Sequence, residues 1–253
     1  MSQRISALHM APAFSCMEIM DTIYSHLISD PQGGVDQHAF ILSKGHGCLS
    51  QYVILHELGV LTDKDLLHYS EPGGQLGVHP DWGVPGIGAS TGSLGHGLGM
   101  AVGVAYANRL ANSQLKTYVV ISDGELQEGS TWEAVMMAKN LKLSNLTLFV
   151  DLNDRISMTK LSEEHGALFP VAPKFSTFGW SVQEVDGHDS AALYRAATQE
   201  SSDQPTVIVC NTTKGKGVSY MEDVPIWHYR APSAEEYQVA LAELAAQAEE
   251  VMA

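Results

Sequence analysis

Two short apolar runs, residues 118–121 and 146–150, each break off into a carboxylate-bearing tripeptide, Ser122-Asp123-Gly124 and Asp151-Leu152-Asn153, with a helix-forming segment between them. Neither run alternates polar with apolar residues, which is the pattern of a strand covered on both faces, as in parallel sheets. The intervening segment carries Ala134, Met137, Ala138 and Leu141 at helical intervals, and Ser130 with Glu133 three residues on has the spacing of a capping box. A strand, a helix and a parallel strand connect right-handedly, so both runs end at one edge of one sheet, the carboxyl edge at which open α/β folds bind ligands. The unit predicts an α/β chain with a mainly parallel sheet and helices on both faces, and it sets Asp123 beside Asn153.

An Asp and an Asn at one sheet edge suit a hard cation. Magnesium takes oxygen ligands in near-octahedral array and needs only one or two carboxylates when carbonyls, water and phosphate oxygens complete its shell. A plainer reading stands beside this one, since Asp-Gly is a common turn and Asn a common strand end. Composition narrows the classes. At 253 residues and 45% hydrophobic, the sequence supports one large domain, 1–253, with a sizeable core. A formal net charge of −15 excludes a nucleic-acid binder, which needs a basic face. Cys16, Cys48 and Cys210 lie far apart without metal spacing, the usage of a reduced cytoplasmic protein and not of a disulfide framework. No apolar run is long enough to cross a membrane, and Arg4, His9, Pro12 and Glu18 interrupt any signal-peptide core, so neither export nor a membrane anchor is expected.

Around the central unit, histidines recur beside glycine. His9 precedes a predicted helix over 15–27, where a frayed terminus is the bland alternative. Residues 38–43 read as a strand running into Lys44-Gly45-His46-Gly47 and a helix over 49–58, a turn that lets backbone approach an anion, although His46 could equally cap the helix. Residues 71–92 form a Gly- and Pro-rich loop too long for a simple connection, with His79-Pro80-Asp81 inside it. Gly92-Ser93-Leu94-Gly95-His96-Gly97 opens a helix to about residue 110, in which Gly95, Gly99, Gly103 and Ala107 make a stripe without side chains where another element can pack closely. Glu128 reads as a solvated loop residue and Glu133 as the capping-box partner. Farther on, a strand over 181–185 ends in Asp186-Gly187-His188-Asp189, a turn by composition, ahead of a helix over 191–200. A strand over 206–210 runs into Thr212-Thr213-Lys214-Gly215-Lys216-Gly217, whose spacing is not that of a nucleotide-binding P-loop. Trp227-His228-Tyr229 follows, and Ser233 with Glu236 caps a last helix.

Taken together, DGELQEG, AKNLKLSNL, SKGHG, HPD, TGSLGHG and TKGKG with Trp-His resemble the transketolase family over nearly the whole chain. The resemblance implies a three-layer thiamine diphosphate-binding fold and a thiamine diphosphate cofactor with Mg²⁺, or Ca²⁺ or Mn²⁺ in its place. It implies Asp123 and Asn153 as side-chain metal ligands and Arg155 as the residue offering its main-chain carbonyl. His9, His46, His79 and His228 fall on the substrate-binding and proton-relaying histidines, with Glu128 joining them in catalysis near a partner chain. Cofactor contacts fall on His46, Gly92, Ser93, Leu94, Asp123, Gly124, Glu125, Glu133, Asn153 and His228. Ser122, Arg155, Ala11, Pro12, His96 and Tyr229 depart from the family pattern.

The resemblance reaches only the first third or so of a full transketolase. The acid that activates the cofactor's aminopyrimidine lies, in the family, in a pyrimidine-binding domain. That domain and the C-terminal one are expected on a separate chain, in an α2β2 assembly. The implied reaction is transfer of a two-carbon ketol unit from a ketose or ketose phosphate donor to an aldose. Rival expectations are a 2-oxo acid dehydrogenase component, a chain like deoxyxylulose phosphate synthase, and a non-catalytic scaffolding subunit.

Overall fold

The computed structural model describes residues 9–28, 30–31, 38–199 and 203–252; Leu8, which precedes the His9 turn, and Glu200, the expected end of a helix, lie outside them. Its strands are β1 (Ala39–Leu42), β2 (Thr117–Ser122), β3 (Leu146–Leu152), a two-residue hairpin of β4 (Arg155–Ile156) and β5 (Thr159–Lys160), β6 (Ser181–Asp186) and β7 (Thr206–Asn211). Five of them form one sheet in the order β1-β2-β3-β7-β6, and every pairing in it is parallel. The helices are α1 (Met10–Ser15), α2 (Met17–Asp21), α3 (Cys48–Glu57), α4 (Asp63–Leu67), α5 (Gly97–Leu110), α6 (Gly129–Asn140), α7 (Leu161–Glu164), α8 (Ala172–Thr177), α9 (Ser190–Thr198) and α10 (Ala234–Met252).

The unbroken apolar runs are explained by burial on two sides. Tyr118, Val120, Phe149, Ile208 and Cys210 point to one face, against Ile19, Tyr52, Leu55 and Leu193 of α2, α3 and α9. Val119, Ile121, Leu148, Val150, Val207 and Val209 point to the other, against Leu98, Ala101, Val135, Ala138 and Phe175 of α5, α6 and α8. Each fully buried large side chain contributes about 1.5–3 kcal/mol, so the alternation fixes the register: a slip of one residue would exchange the two cores. Edge strand β6 is only half covered and is correspondingly polar. A third, smaller cluster joins Ala11 of α1 to Val218, Met221 and Trp227 and to Ala240 of α10.

Two helical expectations need correction. The predicted helix over 15–27 is instead α1, α2 and a π-helical turn (Thr22–Leu27), beginning earlier because Pro12 is tolerated in a first turn where no N–H partner is needed. The capping box at Ser130 does not form. Glu128 is the N-cap residue of α6, the Ser130 hydroxyl donates to the Gly95 carbonyl, and Glu133 is left exposed on the helix. At the other end of the chain the expected reciprocal cap is present: the Glu236 amide donates to the Ser233 hydroxyl and the Ser233 amide to the Glu236 carboxylate. No helix among the described residues is long and apolar enough to cross a membrane.

Candidate active site

All five sheet strands run the same way, so their carboxyl ends share one edge, and a cleft of about 430 Å³ opens there. Asp123 enters it from a short 3₁₀ turn that continues β2. Its Oδ1 accepts from the Gly124 amide at 2.7 Å and its Oδ2 from the Asp154 amide at 2.6 Å, so the backbone after each strand aims the carboxylate. Burial, with the charge of Asp151 beside it, pushes the Asp123 carboxyl up to about 7. Asn153 leaves β3 at the same edge, and its Oδ1 accepts from the Arg155 amide at 3.1 Å. The Arg155 carbonyl accepts from Lys214 Nζ at 3.3 Å, while the guanidinium turns to Asp223 at 3.6 Å. Three oxygen donors from the ends of two adjacent strands thus line one end of the cleft.

Four histidines line the other end. His9 holds a left-handed backbone (φ 58°) just before α1. Its ring lies 5.0 Å from that of His228, 5.7 Å from His46 and 6.5 Å from His79, centroid to centroid, and His46 stacks on His228 at 6.0 Å. Each is placed by its own element: His46 by the 3₁₀ turn Gly45–Gly47 ahead of α3, His228 by the turn Pro225–His228, and His79 by the buried Tyr52, whose hydroxyl lies 2.9 Å from the His79 carbonyl. Gly92 is required beneath His79, because a Cβ there would come within 2.8 Å of the imidazole and the backbone sits at φ 141°. Burial lowers the basicity of three of these rings, reinforced by nearby cations. His46 falls well below the usual range by burial and Lys44, His9 falls by burial, His79 and Lys214, and His228 drops to about 3 by burial and Lys214. These three are neutral imidazoles near pH 7, able to donate and accept hydrogen bonds without carrying charge.

Of the remaining sequence-based candidates, Gly92, Leu94, Gly124 and Glu128 line the cleft. Ser93 is exposed beside it, and Glu133 is exposed on α6. Glu125 is turned inward: its carboxylate accepts from the Ser43 hydroxyl and from the Gly95 amide at 2.8 Å, so it braces the turns that carry His46 and Leu94 and does not face the cleft. The glycine stripe divides in the same way. Gly95 is pressed on Ser130 and Glu128, whereas Gly99 and Gly103 have nothing near where a Cβ would stand.

Three charged residues at the site escaped sequence reasoning. Lys44 and Asp151 form a fully buried ion pair behind the histidines; Lys44 also donates to the Pro12 carbonyl at 3.0 Å, and Asp151 accepts from Ser15 at 2.6 Å and from Thr212. Burial alone would strip the charge from both, but each holds the other ionised, Lys44 above the usual lysine range and Asp151 below the usual carboxylate range. The third is Lys214, 4% exposed, whose ammonium donates to His228 Nδ1 at 2.6 Å. Positive φ at Gly215 (80°) and Gly217 (91°) bends the chain so that Lys214 points inward. The signal was present in TKGKG at a strand end, without P-loop spacing to give it meaning. His188, read as part of a turn, bridges Glu18 at 3.0 Å and the Thr213 amide at 2.9 Å, bracing the same loop.

The chain matches the family described as "Transketolase, thiamine diphosphate binding domain" over residues 3–249. It is 34% identical over 253 residues to one of the apulose-4-phosphate transketolase subunits of Phocaeicola vulgatus, covering 98% of this chain and 90% of that protein. It is 35% identical over 242 residues to the 6-deoxy-6-sulfo-D-fructose transketolase subunit SqwG of a Clostridium species, covering 93% and 88%. Among solved structures it superposes on the transketolase of Campylobacter jejuni with a TM-score of 0.89 at 26% identity, covering 95% of this chain and 39% of that one. The chain therefore spans about two fifths of the length of that solved transketolase.

Proposed function

The chain belongs to the transketolase thiamine diphosphate binding family, and on that premise we propose that it is the diphosphate- and metal-binding part of a two-chain transketolase that moves a two-carbon ketol unit from a ketose or ketose phosphate to an aldose. The observation that carries this reading is the meeting of four imidazoles with the Asp123–Asn153–Arg155 donor set in one cleft.

The residues fit the cofactor. Among the described residues no group of three or more His, Cys, Asp or Glu is placed to hold a metal. The Asp123 carboxylate, the Asn153 amide oxygen and the Arg155 carbonyl therefore suit a hard divalent cation, such as Mg²⁺ or Ca²⁺, only if oxygens of a bound diphosphate complete its shell. Lys214 already stands as a cation against the Arg155 carbonyl. His9 Nδ1 is buried without a hydrogen-bond partner, a polar atom left for a ligand.

Thiamine diphosphate, when bound, supplies the nucleophilic carbon and the electron sink for cleaving a ketose. This chain's residues do the rest. Asp123, Asn153 and the Arg155 carbonyl would hold the metal, and Lys214 would neutralise diphosphate charge. Gly92, Leu94 and Gly124, which line the cleft, would border the cofactor. His9, His46, His79 and His228 would hydrogen-bond donor hydroxyls, and His9, His46 and His228, as neutral rings, would accept a hydroxyl proton and return it. Glu128 lines the cleft and is exposed, and we assign it to the partner-facing rim.

A partner chain is supported on two grounds. Three relatives matched over nearly nine tenths of their own length are named as subunits, and α5 and α6 present Met100, Val104, Tyr106, Leu110, Met136 and Met137 to solvent beside the open Gly99 and Gly103. We assign to that partner the pyrimidine-binding domain, in an α2β2 assembly in the cytoplasm. The buried free thiols of Cys16, Cys48 and Cys210 agree with a reducing compartment.

The test is ketol transfer by this chain with and without the partner in Mg²⁺ and thiamine diphosphate. Transfer is expected only from the pair. Robust transfer by the lone chain would overturn the two-chain reading, and cofactor binding unchanged in Asp123→Ala would overturn the site.

A further inference from the structure

Tyr229 stands over the mouth of the cleft. Its ring centroid lies 4.4 Å from that of His228 and 5.7 Å from that of His9, and its hydroxyl donates to Ser157 Oγ at 3.1 Å. Ser157 lies in the turn between β4 and β5, two residues after Arg155. One side chain therefore reaches from the histidine cluster to the metal end of the cleft. Tyr229 is 51% exposed, so one side of it meets solvent and the other the two imidazoles.

Its position is fixed at both ends. Behind it, Trp227 is buried against Tyr220 and the α1–α10 cluster, with the Arg230 guanidinium 4.5 Å over the indole, so the turn Pro225–His228 cannot swing without unpacking that cluster. In front, the Ser157 hydrogen bond ties the phenol to the hairpin. His79, Leu94, Gln127 and Glu128 also line the cleft.

Resting on the transketolase reading, we propose that Tyr229 is a specificity-determining residue: it walls off the His9–His228 flank, so that a sugar whose reacting carbon lies among the imidazoles has no room to extend its chain there, and short aldose acceptors are favoured over long ones. A small residue at this position would open an exit between His9, His228 and Ser157. The phenol is a wall and not an acid or base in this role, so its effect falls on the choice among acceptors.

The assay uses the two-chain enzyme with one ketose donor, comparing kcat/KM for glycolaldehyde, a two-carbon acceptor, with that for a five-carbon aldose phosphate. In Tyr229→Gly the five-carbon to two-carbon ratio is expected to rise about 10-fold or more, the scale on which one apolar pocket wall discriminates, chiefly through a lower KM for the longer acceptor. Tyr229→Phe and Ser157→Ala keep the ring, or all of Tyr229, and cut only the tie across the mouth; a smaller rise in the same direction is expected in both. A ratio that stays at the wild-type value in all three variants, with the wild-type pair active, overturns the role of Tyr229 and leaves the transketolase reading standing. A wild-type pair without ketol transfer overturns both.

Discussion

The Lys214 ammonium donates to Nδ1 of His228 at 2.6 Å and, on its other side, to the carbonyl of Arg155 at 3.3 Å. One cation thus joins the histidine cluster to the metal end of the cleft, and its bond to Nδ1 leaves the His228 proton on Nε2. Burial and the charge of Lys44 lower the Lys214 pKa to about 8, against the pull of Asp123 and Asp151. On the proposed function, this nearly buried ammonium would be the chain's own ligand for the diphosphate.

Lys214→Met should therefore weaken Mg–thiamine diphosphate binding by about 10- to 100-fold, the loss of one charge-assisted hydrogen bond of about 1.5–3 kcal/mol. Without cofactor it should leave the melting temperature unchanged or raised, since a desolvated charge is removed. Calorimetric titration and a thermal melt on the same variant check both halves.

Asp123→Asn separates ligation from folding. The amide retains an oxygen for the Gly124 or Asp154 amide and removes a carboxyl that burial and Asp151 disfavour. The unliganded chain should melt no lower than wild type, while the rise in melting temperature that Mg²⁺ and thiamine diphosphate give the wild type should be lost. A full cofactor-induced rise in the variant would rule out Asp123 as a ligand.

Lys44→Met strands Asp151 without its counterion in the interior. A loss of about 3–5 kcal/mol is expected from denaturant unfolding, as for other buried pairs broken on one side. The double change Lys44→Met with Asp151→Leu should recover much of it, because the removal of both charges leaves none uncompensated. If the double variant is as unstable as the sum of the singles, the pair is not coupled.

The glycines of the α5 region should behave oppositely. Gly97→Ala would bring a Cβ within 2.7 Å of Ser43 Cα and should destabilise by about 2 kcal/mol or more, within the range for overpacking. Gly99→Ala and Gly103→Ala meet open space and should stabilise the isolated chain by about 0.5–1 kcal/mol each through helix propensity. If α5 is where the partner docks, the same two changes should weaken assembly, read by sedimentation of the mixed chains. Unchanged assembly would move the partner elsewhere.

The legible parts of the fold were those written in local pattern. The runs 118–121 and 146–150 became β2 and β3, each extended by one or two residues, and the helix opened by TGSLGHG runs over Gly97–Leu110 as expected. Failures occurred where a tertiary neighbour outcompeted a local motif. Ser130 satisfies the Gly95 carbonyl instead of capping α6, and the segment 10–27 breaks after Ser15, where the Ser15 hydroxyl joins the Lys44–Asp151 pair. Glu125 reads like its acidic neighbours in DGELQEG, yet Ser43 and Gly95 draw it into the interior.

By itself the sequence determined the α/β class and the pairing of Asp123 with Asn153, because a strand end and a right-handed crossover are short-range consequences of apolar pattern and chain chirality. Only the tertiary structure decided that β1 and β7 flank that unit, that His9, His46, His79 and His228 share one cleft, and that Lys44, Asp151 and Lys214 are buried beside them. Those residues come from distant segments, and no periodicity encodes which distant turns will meet. Their meeting follows from burial of both faces of the sheet, which fixes strand order and register and so brings the loops at its carboxyl edge together.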